Sequence, residues 1–272
     1  MIFVIFAITM SNCRYQVNET YRYSQAFLDF AENLELMFDR EGEMLFSGSR
    51  NTIKRFTIGQ DGDKMDVVVK RFNMHNVFQK IAYSFFVPSK AKRAFENGME
   101  LLRIGCGTPS PIAYAETRSG VWLQRCYYVT AYTDDESVRQ ALEVDFNRPL
   151  AKAFALFVAR LHEHAVVHHD LNFSNVLYRQ EGGENIISVI DINRMTIKRS
   201  GRLALEECKD DFVRWTDRKD LFEYVMREYA KARGLDEDAF FATAAQMKRT
   251  HDKAWRRRKK FTAALKRIIQ TK

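Results

Sequence analysis

The sequence predicts an α+β protein in two lobes, a small antiparallel-sheet lobe and a mainly helical large lobe. Three observations carry this. Strand-like runs at Met44 to Ser47, Thr52 to Ile58 and Met65 to Phe72 follow one another across short turns. Further along, apolar residues recur at helical spacing: Leu150, Phe154, Phe157 and Leu161, then Phe212, Phe222, Met226 and Tyr229. Finally, the stretch from His168 to Asp191 joins two apolar segments, each flanked by a carboxylate. Asp170 precedes the first, Asp191 ends the second, and Asn175 lies five residues after Asp170.

The composition bounds the answer. The 272 residues are 46% apolar and 29% charged, with only 4 Pro and 12 Gly, which excludes a disordered or repetitive chain. The net charge is +8, and the segment His251 to Arg267 supplies most of it, with eight Lys/Arg against one Asp. A block of this kind points to an anionic partner, a membrane surface, a phosphorylated lipid or a nucleic acid. The four cysteines, Cys13, Cys106, Cys126 and Cys208, form no C-x-x-C pair, and the expectation is free buried thiols in a reducing compartment. The apolar run Ile2 to Ile8 is short of the ~20 residues that span a bilayer. No Lys or Arg precedes it, so it reads as an over-extended start before Met10 or as a buried first strand.

In chain order, Cys13 to Tyr21 reads as a strand. Ser24 reads as the N-cap of a helix through Phe38, with Phe27, Phe30, Leu34 and Met37 on one face. The hairpin at Ser47 to Thr52 carries one glycine, Gly48, beside Arg50. It is either a turn that approaches phosphates with its backbone or a plain hairpin. Val67-Val68-Val69 dictates a strand, with Lys70 next. Asn73 to Phe86 is an aromatic-rich insertion, read as a brace for the small lobe. Ser89 caps a helix to about Ile104, with Ala91, Phe95, Met99 and Leu102 on one face and Glu96 and Glu100 also on it. After Thr108-Pro109-Ser110-Pro111 come strands at Ile112 to Glu116 and Val121 to Thr130, a linker near Tyr132, and a helix opened by Asp134, Asp135 and Glu136. His162 and His164, two apart at a helix end, are read as structural. Asp210 to Ala232 and Glu237 to Thr250 are two more helices.

The spacing D-x-x-x-x-N followed by a strand ending in Asp is what phosphoryl transfer requires. One carboxylate takes the proton of an attacking hydroxyl, while an Asn and a second carboxylate hold Mg2+ over the phosphates. On this reading Asp170 is the base, and Asn175 and Asp191 are the metal ligands. Lys70 grips the α and β phosphates of ATP and pairs with a Glu on the next helix, here assigned to Glu96, with Glu100 as alternative. His169 stands where such sites carry an Arg, D-I-N replaces D-F-G, and no A-P-E follows.

These pieces resemble the lipopolysaccharide core kinases, which phosphorylate Kdo or heptose. The resemblance rests on V-V-V-K-R-F, on S-K-A-K-R-A-F-E-N-G-M-E-L-L-R-I-G-C-G-T-P-S-P-I-A-Y, on L-H-E-H-A-V-V-H-H-D-L-N-F-S-N-V-L and on V-I-D-I-N-R-M. It covers roughly residues 43–194. It implies a protein-kinase-like fold, ATP with Mg2+, and a glycolipid acceptor in the lipopolysaccharide core. Residue by residue it supports Lys70, Glu96, Asp170, Asn175 and Asp191. The expected organisation is an N-terminal extension (1–42), a small lobe (43–132), a large lobe (133–250) and a basic C-terminal helix (251–272). That helix is read either as lying on an anionic membrane surface through 253–267 or as solvated, with Trp255 and Phe261 docked on the large lobe. The expected location is cytoplasmic, peripheral to the inner membrane, with no nucleic-acid partner. The rival readings are a small atypical protein Ser/Thr kinase and a pseudokinase that binds nucleotide without turnover.

Overall fold

Six strands from the first half of the chain build one antiparallel sheet. A computed structural model describes residues 13–59, 64–73, 77–199 and 203–270, and the apolar run at 2–8 lies outside these. The chain falls into two units: residues 1–134 with 189–194, and residues 135–188 with 195–272.

In the first unit, β1 (Cys13–Val17) is followed by α1 (Gln25–Glu32) and α2 (Leu34–Arg40). Strands β2 (Glu43–Ser47), β3 (Asn51–Ile58) and β4 (Met65–Phe72) come next, then helices α3 (Val77–Phe85) and α4 (Lys90–Arg103). Strands β5 (Pro111–Ser119) and β6 (Trp122–Ala131) complete a six-stranded sheet in the order β1-β5-β6-β4-β3-β2. All described pairings in this sheet are antiparallel, with Val69 opposite both Lys54 and Val129.

Residues 13–42 are no appendage to this sheet. β1 pairs with β5 from Cys13 opposite Thr117 to Val17 opposite Ala113. Phe27, Phe30, Leu34 and Phe38 share one core with Phe56, Val67, Val69, Tyr127 and Val129. The Phe38 and Tyr127 ring centroids lie 5.4 Å apart. Each such side chain contributes ~1.5–3 kcal/mol on burial, so the early segment is part of what holds the sheet together. The helix expected from Ser24 to Phe38 breaks at Asn33, whose side chain and backbone NH both donate to the Asp29 carbonyl, a local closure that competes with the continuing helix.

The second unit opens with β7 (Glu136–Ser137), where a helix was expected. Glu136 pairs opposite Tyr178 instead. Helix α5 (Arg148–Glu163) is capped by Asn147, whose Oδ1 accepts from Leu150 N at 3.0 Å. It buries Leu150, Phe154, Phe157 and Leu161, as the spacing requires. Then come β8 (Val166–Val167), β9 (Val176–Glu181), β10 (Glu184–Val189) and β11 (Thr196–Ile197). They form a three-stranded sheet, β10-β9-β7, and the pair β11-β8.

The helix expected at Asp210 to Ala232 is two helices, α6 (Lys209–Val213) and α7 (Lys219–Ala232), with Gly234 beyond at φ 62°. The last helix, α8 (Glu237–Gln270), is continuous for 34 residues, so the expected boundary at 250 falls inside it. Phe240 and Ala244 are buried, whereas Trp255 and Phe261 are 51% and 70% exposed. The expectation that these two aromatics dock on the large lobe is corrected: they stand out from the helix among Arg256 to Lys260. No helix among the described residues is long and apolar enough to cross a membrane.

Candidate active site

Three consecutive valines place β4 at the centre of the sheet, and Lys70 follows on the same strand opposite Ile53 and Tyr128. Its Nζ donates to Asp191 Oδ1 at 2.6 Å, and both side chains are partly buried. A hydrogen bond of this charged kind contributes ~1.5–3 kcal/mol.

Asp191 sits at φ 61°, in the left-handed region that costs a non-glycine residue energy unless its surroundings hold it. Several contacts hold it. Asn193 Nδ2 donates to Asp191 Oδ1 at 2.9 Å, and Asn97 Nδ2 on α4 donates to the Ile192 carbonyl at 2.7 Å. Upstream, Thr108 Oγ1 donates to the Val189 carbonyl at 2.8 Å, and Val189 N donates to the Gly107 carbonyl at 2.9 Å. The G-x-x-T-P-x-P text therefore clamps the segment that delivers Asp191. Gly98 lets α4 come close: a Cβ there would lie 2.6 Å from Pro111 Cγ, 2.8 Å from Tyr128 Oη and 3.3 Å from Ile192 Cδ1.

The pairing of Lys70 with Glu96 is corrected. Helix α4 buries Ala91, Ala94, Phe95, Gly98 and Leu101, a stripe rotated from the one expected through Met99 and Leu102. Glu96 points away from that stripe, is exposed, and pairs with Lys92 at 3.8 Å, while Glu100 pairs with Arg103. Lys90, at the start of α4, is held below the usual ammonium range by burial. The Arg194 and Arg93 charges act in the same direction, and Cys126 and Asp191 oppose them.

The hairpin carrying Gly48 is closed by Gly48 N donating to the Asn51 carbonyl at 3.0 Å. Asn73 Nδ2 donates to the carbonyls of Gly48 and Ser49 at 3.3 and 3.2 Å, bracing the turn from beyond β4.

In the second unit the loop after β8 carries Asp170. Its backbone NH donates to His168 Nδ1 at 3.3 Å, and its carbonyl accepts from Asn175 Nδ2 at 2.9 Å and from Asn172 N at 2.9 Å. The D-x-x-x-x-N spacing thus folds Asn175 back onto the Asp170 backbone. Asp211 anchors the loop. Its two oxygens accept from His168 N and His169 N, both at 2.7 Å, and Oδ2 also meets His162 Nε2 at 3.3 Å. His162 Nδ1 lies 2.9 Å from Tyr229 Oη, which makes this histidine a structural one. His169, at φ 66°, spans Asp210 at 3.2 Å and Thr196 at 2.8 Å, using the ring where an Arg was expected.

Sequence reasoning missed Asp211, Asn97, Gly98 and the clamp role of Thr108. Asp211 is a fully buried carboxylate, and only the loop it serves distinguishes it from its neighbour Asp210. Cys13, Cys106, Cys126 and Cys208 are buried thiols outside any disulfide.

Residues 41–207, more than half of the chain, match the lipopolysaccharide kinase (Kdo/WaaP) family. No curated protein sequence matches the chain. Among solved structures it is similar to one described as WaaP in complex with acyl carrier protein. That likeness has a TM-score of 0.58 at 16% identity and covers 87% of this chain and 98% of that one. A second match is the Rio2 kinase–ADP/Mg2+–phosphoaspartate complex from Chaetomium thermophilum, with a TM-score of 0.44 at 17% identity over 82% and 76% of the two chains. With a family match over most of its two units and a kinase-like fold, the chain belongs to the lipopolysaccharide kinase (Kdo/WaaP) family and is a kinase.

Proposed function

We propose that the protein transfers the γ-phosphate of ATP, with Mg2+, to a hydroxyl of a sugar in the lipopolysaccharide inner core, Kdo or heptose. The observation that carries this reading is the Lys70–Asp191 pair, an ammonium and a carboxylate set side by side within the first unit. The donor set suits a hard cation, since Asp191 offers carboxylate oxygens and Asn175 an amide oxygen. Asn175 commits its Nδ2 to the Asp170 carbonyl, which leaves its amide oxygen as the ligating atom. Bound Mg2+ would neutralise charge on the phosphates as they separate.

The chain's own groups have distinct tasks in this reading. Lys70 exchanges its contact with Asp191 for the α and β phosphates. Asp191 and Asn175 would hold the cation. Asp170 accepts the proton of the attacking sugar hydroxyl, and the Asp211 anchor keeps its loop in position. Because the transition state of phosphoryl transfer is loose, positioning and charge neutralisation supply most of the acceleration. Glu96 has no part in this scheme.

The run of Lys and Arg over 253–267 supports a peripheral site on the cytoplasmic side of an anionic membrane, where the glycolipid acceptor would be presented. Trp255 and Phe261 stand exposed among the cations, and Lys259 Nζ lies 4.9 Å from the Trp255 ring centroid. The test is an acceptor panel with ATP and Mg2+: extracted Kdo–lipid A, free sugar and casein, read by mass spectrometry. Phosphate on the glycolipid supports the reading. Phosphate on casein transfers it to the atypical protein kinase, and nucleotide binding without any product transfers it to the pseudokinase.

A further inference from the structure

The aromatic insertion ahead of α4 does not brace the first unit from within. Helix α3 buries none of its residues, and Phe78 and Phe86 are 83% and 79% exposed. Phe85, Val87, Val121 and Trp122 are exposed beside them. The cluster is organised: Phe85 meets Trp122 edge-on at 5.2 Å and Phe86 at 6.3 Å. It is also fastened to the sheet. Leu123 N donates to Ser84 Oγ at 2.9 Å, and Lys80 Nζ donates to Gln124 Oε1 at 2.9 Å. An apolar surface held out in water by specific hydrogen bonds calls for a partner.

Beneath its rim lies a cleft of about 310 Å3, lined among others by Arg14, Ser84, Phe85, Phe86, Lys92 and Arg118. The buried Glu116 carboxylate also lines it, but Arg118 already engages that group at 2.9 Å. With Arg118 spent on Glu116, Arg14 and Lys92 keep the cleft lining net positive, and Lys92 also reaches the exposed Glu96 at its rim at 3.8 Å.

We propose that this face docks on an anionic bilayer, with the α3 aromatics entering the interfacial zone and the Arg14–Lys92–Arg118 cleft taking a phospholipid phosphate. The chemistry favours a membrane over a protein partner. Phe and Trp at a protruding edge with Lys and Arg flanking them are the composition of an interfacial anchor. A pocket with basic walls and an aromatic lip matches a headgroup with its acyl chains alongside. The inference is independent of the acceptor and of turnover, and it concerns a surface distinct from α8.

The test is co-sedimentation of the full chain with vesicles of phosphatidylcholine alone or mixed with phosphatidylglycerol. Phe85→Ser with Phe86→Ser should lower partitioning onto the mixed vesicles about tenfold, in proportion to the apolar area withdrawn. Arg14→Gln with Lys92→Gln should remove the preference for phosphatidylglycerol, while Arg118 is left in place to keep Glu116 paired. In a Trp255→Phe background, where the other remaining tryptophan, Trp215, is buried, brominated lipid should quench Trp122 emission. All four substituted side chains lie at the surface or the cleft rim, so an unchanged melting temperature confirms folding. Partitioning of both variants equal to that of the parent chain, with Trp122 unquenched, would overturn the proposal.

Discussion

Lys70 Nζ donates to Asp191 Oδ1 across 2.6 Å, joining two residues 121 positions apart in the sequence. The carboxylate that serves this lysine comes from the strand end and not from the neighbouring helix. Lys70→Ala should therefore lower kcat/KM for ATP about a hundredfold, close to 2.7 kcal/mol of transition-state stabilisation. Glu96→Gln should change it by less than about twofold, as for other solvent-facing charges. Steady-state kinetics on the two variants decide this. An equal loss in both would mean that α4 brings Glu96 to Lys70 during turnover.

Asp211 takes three hydrogen bonds in a fully buried setting, two of them from the backbone of the loop ahead of Asp170. Asp211→Ala leaves those donors without an acceptor and should cost ~3–5 kcal/mol, the range for breaking a buried charged network. Denaturant unfolding measures it. A loss below about 1 kcal/mol would show that the loop holds itself.

Gly98→Ala tests the close approach of α4 to the Asp191 segment. The added methyl would meet Pro111, Tyr128 and Ile192, and Pro111 offers no flexible end to move aside. Overpacking of this kind costs ~1–3 kcal/mol, and activity should fall with it because Ile192 adjoins Asp191. Wild-type stability with wild-type activity would contradict the packing argument.

How far the sequence could be read follows from what each feature depends on. β4 and Lys70 were legible because three β-branched residues leave little choice of local structure. The D-x-x-x-x-N spacing marks the loop in which Asn175 folds back onto the Asp170 carbonyl, and the roles of Asp170, Asn175 and Asp191 remain those of the proposed reaction. The phase of α4 was misread because the pattern weighed Met99 and Leu102 and ignored Gly98, whose burial depends on neighbours far away in sequence. Asp211 left no signal, since a carboxylate beside another at the start of a helix looks like dipole compensation. The break at Asn33 depends on a side-chain hydrogen bond that periodicity does not register. The exposure of the α3 aromatics ran against the ordinary tendency of Phe to be buried.

Alkaline pH should destabilise the fold through its cysteines. Burial, aided by the Glu35, Glu32 and Glu116 charges, pushes the Cys13 thiol from 9.0 up to about 11. Burial raises Cys126 to about 11 and, with the Asp211 charge beside it, Cys208 to about 12. The folded chain keeps these protons where the unfolded chain releases them. Their contribution is thus complete below pH 9.0 and is lost as pH rises through 11 to 12. The melting temperature should fall across that window, and alkylation of the native protein below it should be slow. Rapid alkylation of the native chain at neutral pH would refute the burial of these thiols.

In the proposed reaction Asp170 acts on the acceptor hydroxyl while Lys70 and Asp191 serve the nucleotide. The most direct measurement is the Asp170→Ala variant assayed in parallel for ATP affinity and for phosphate transfer to extracted Kdo–lipid A. In this variant kcat should fall by about a hundredfold or more, as for a lost general base, while the Kd for ATP with Mg2+ stays within about twofold. Transfer at the rate of the unaltered protein, or loss of ATP binding equal to the loss of activity, would contradict it.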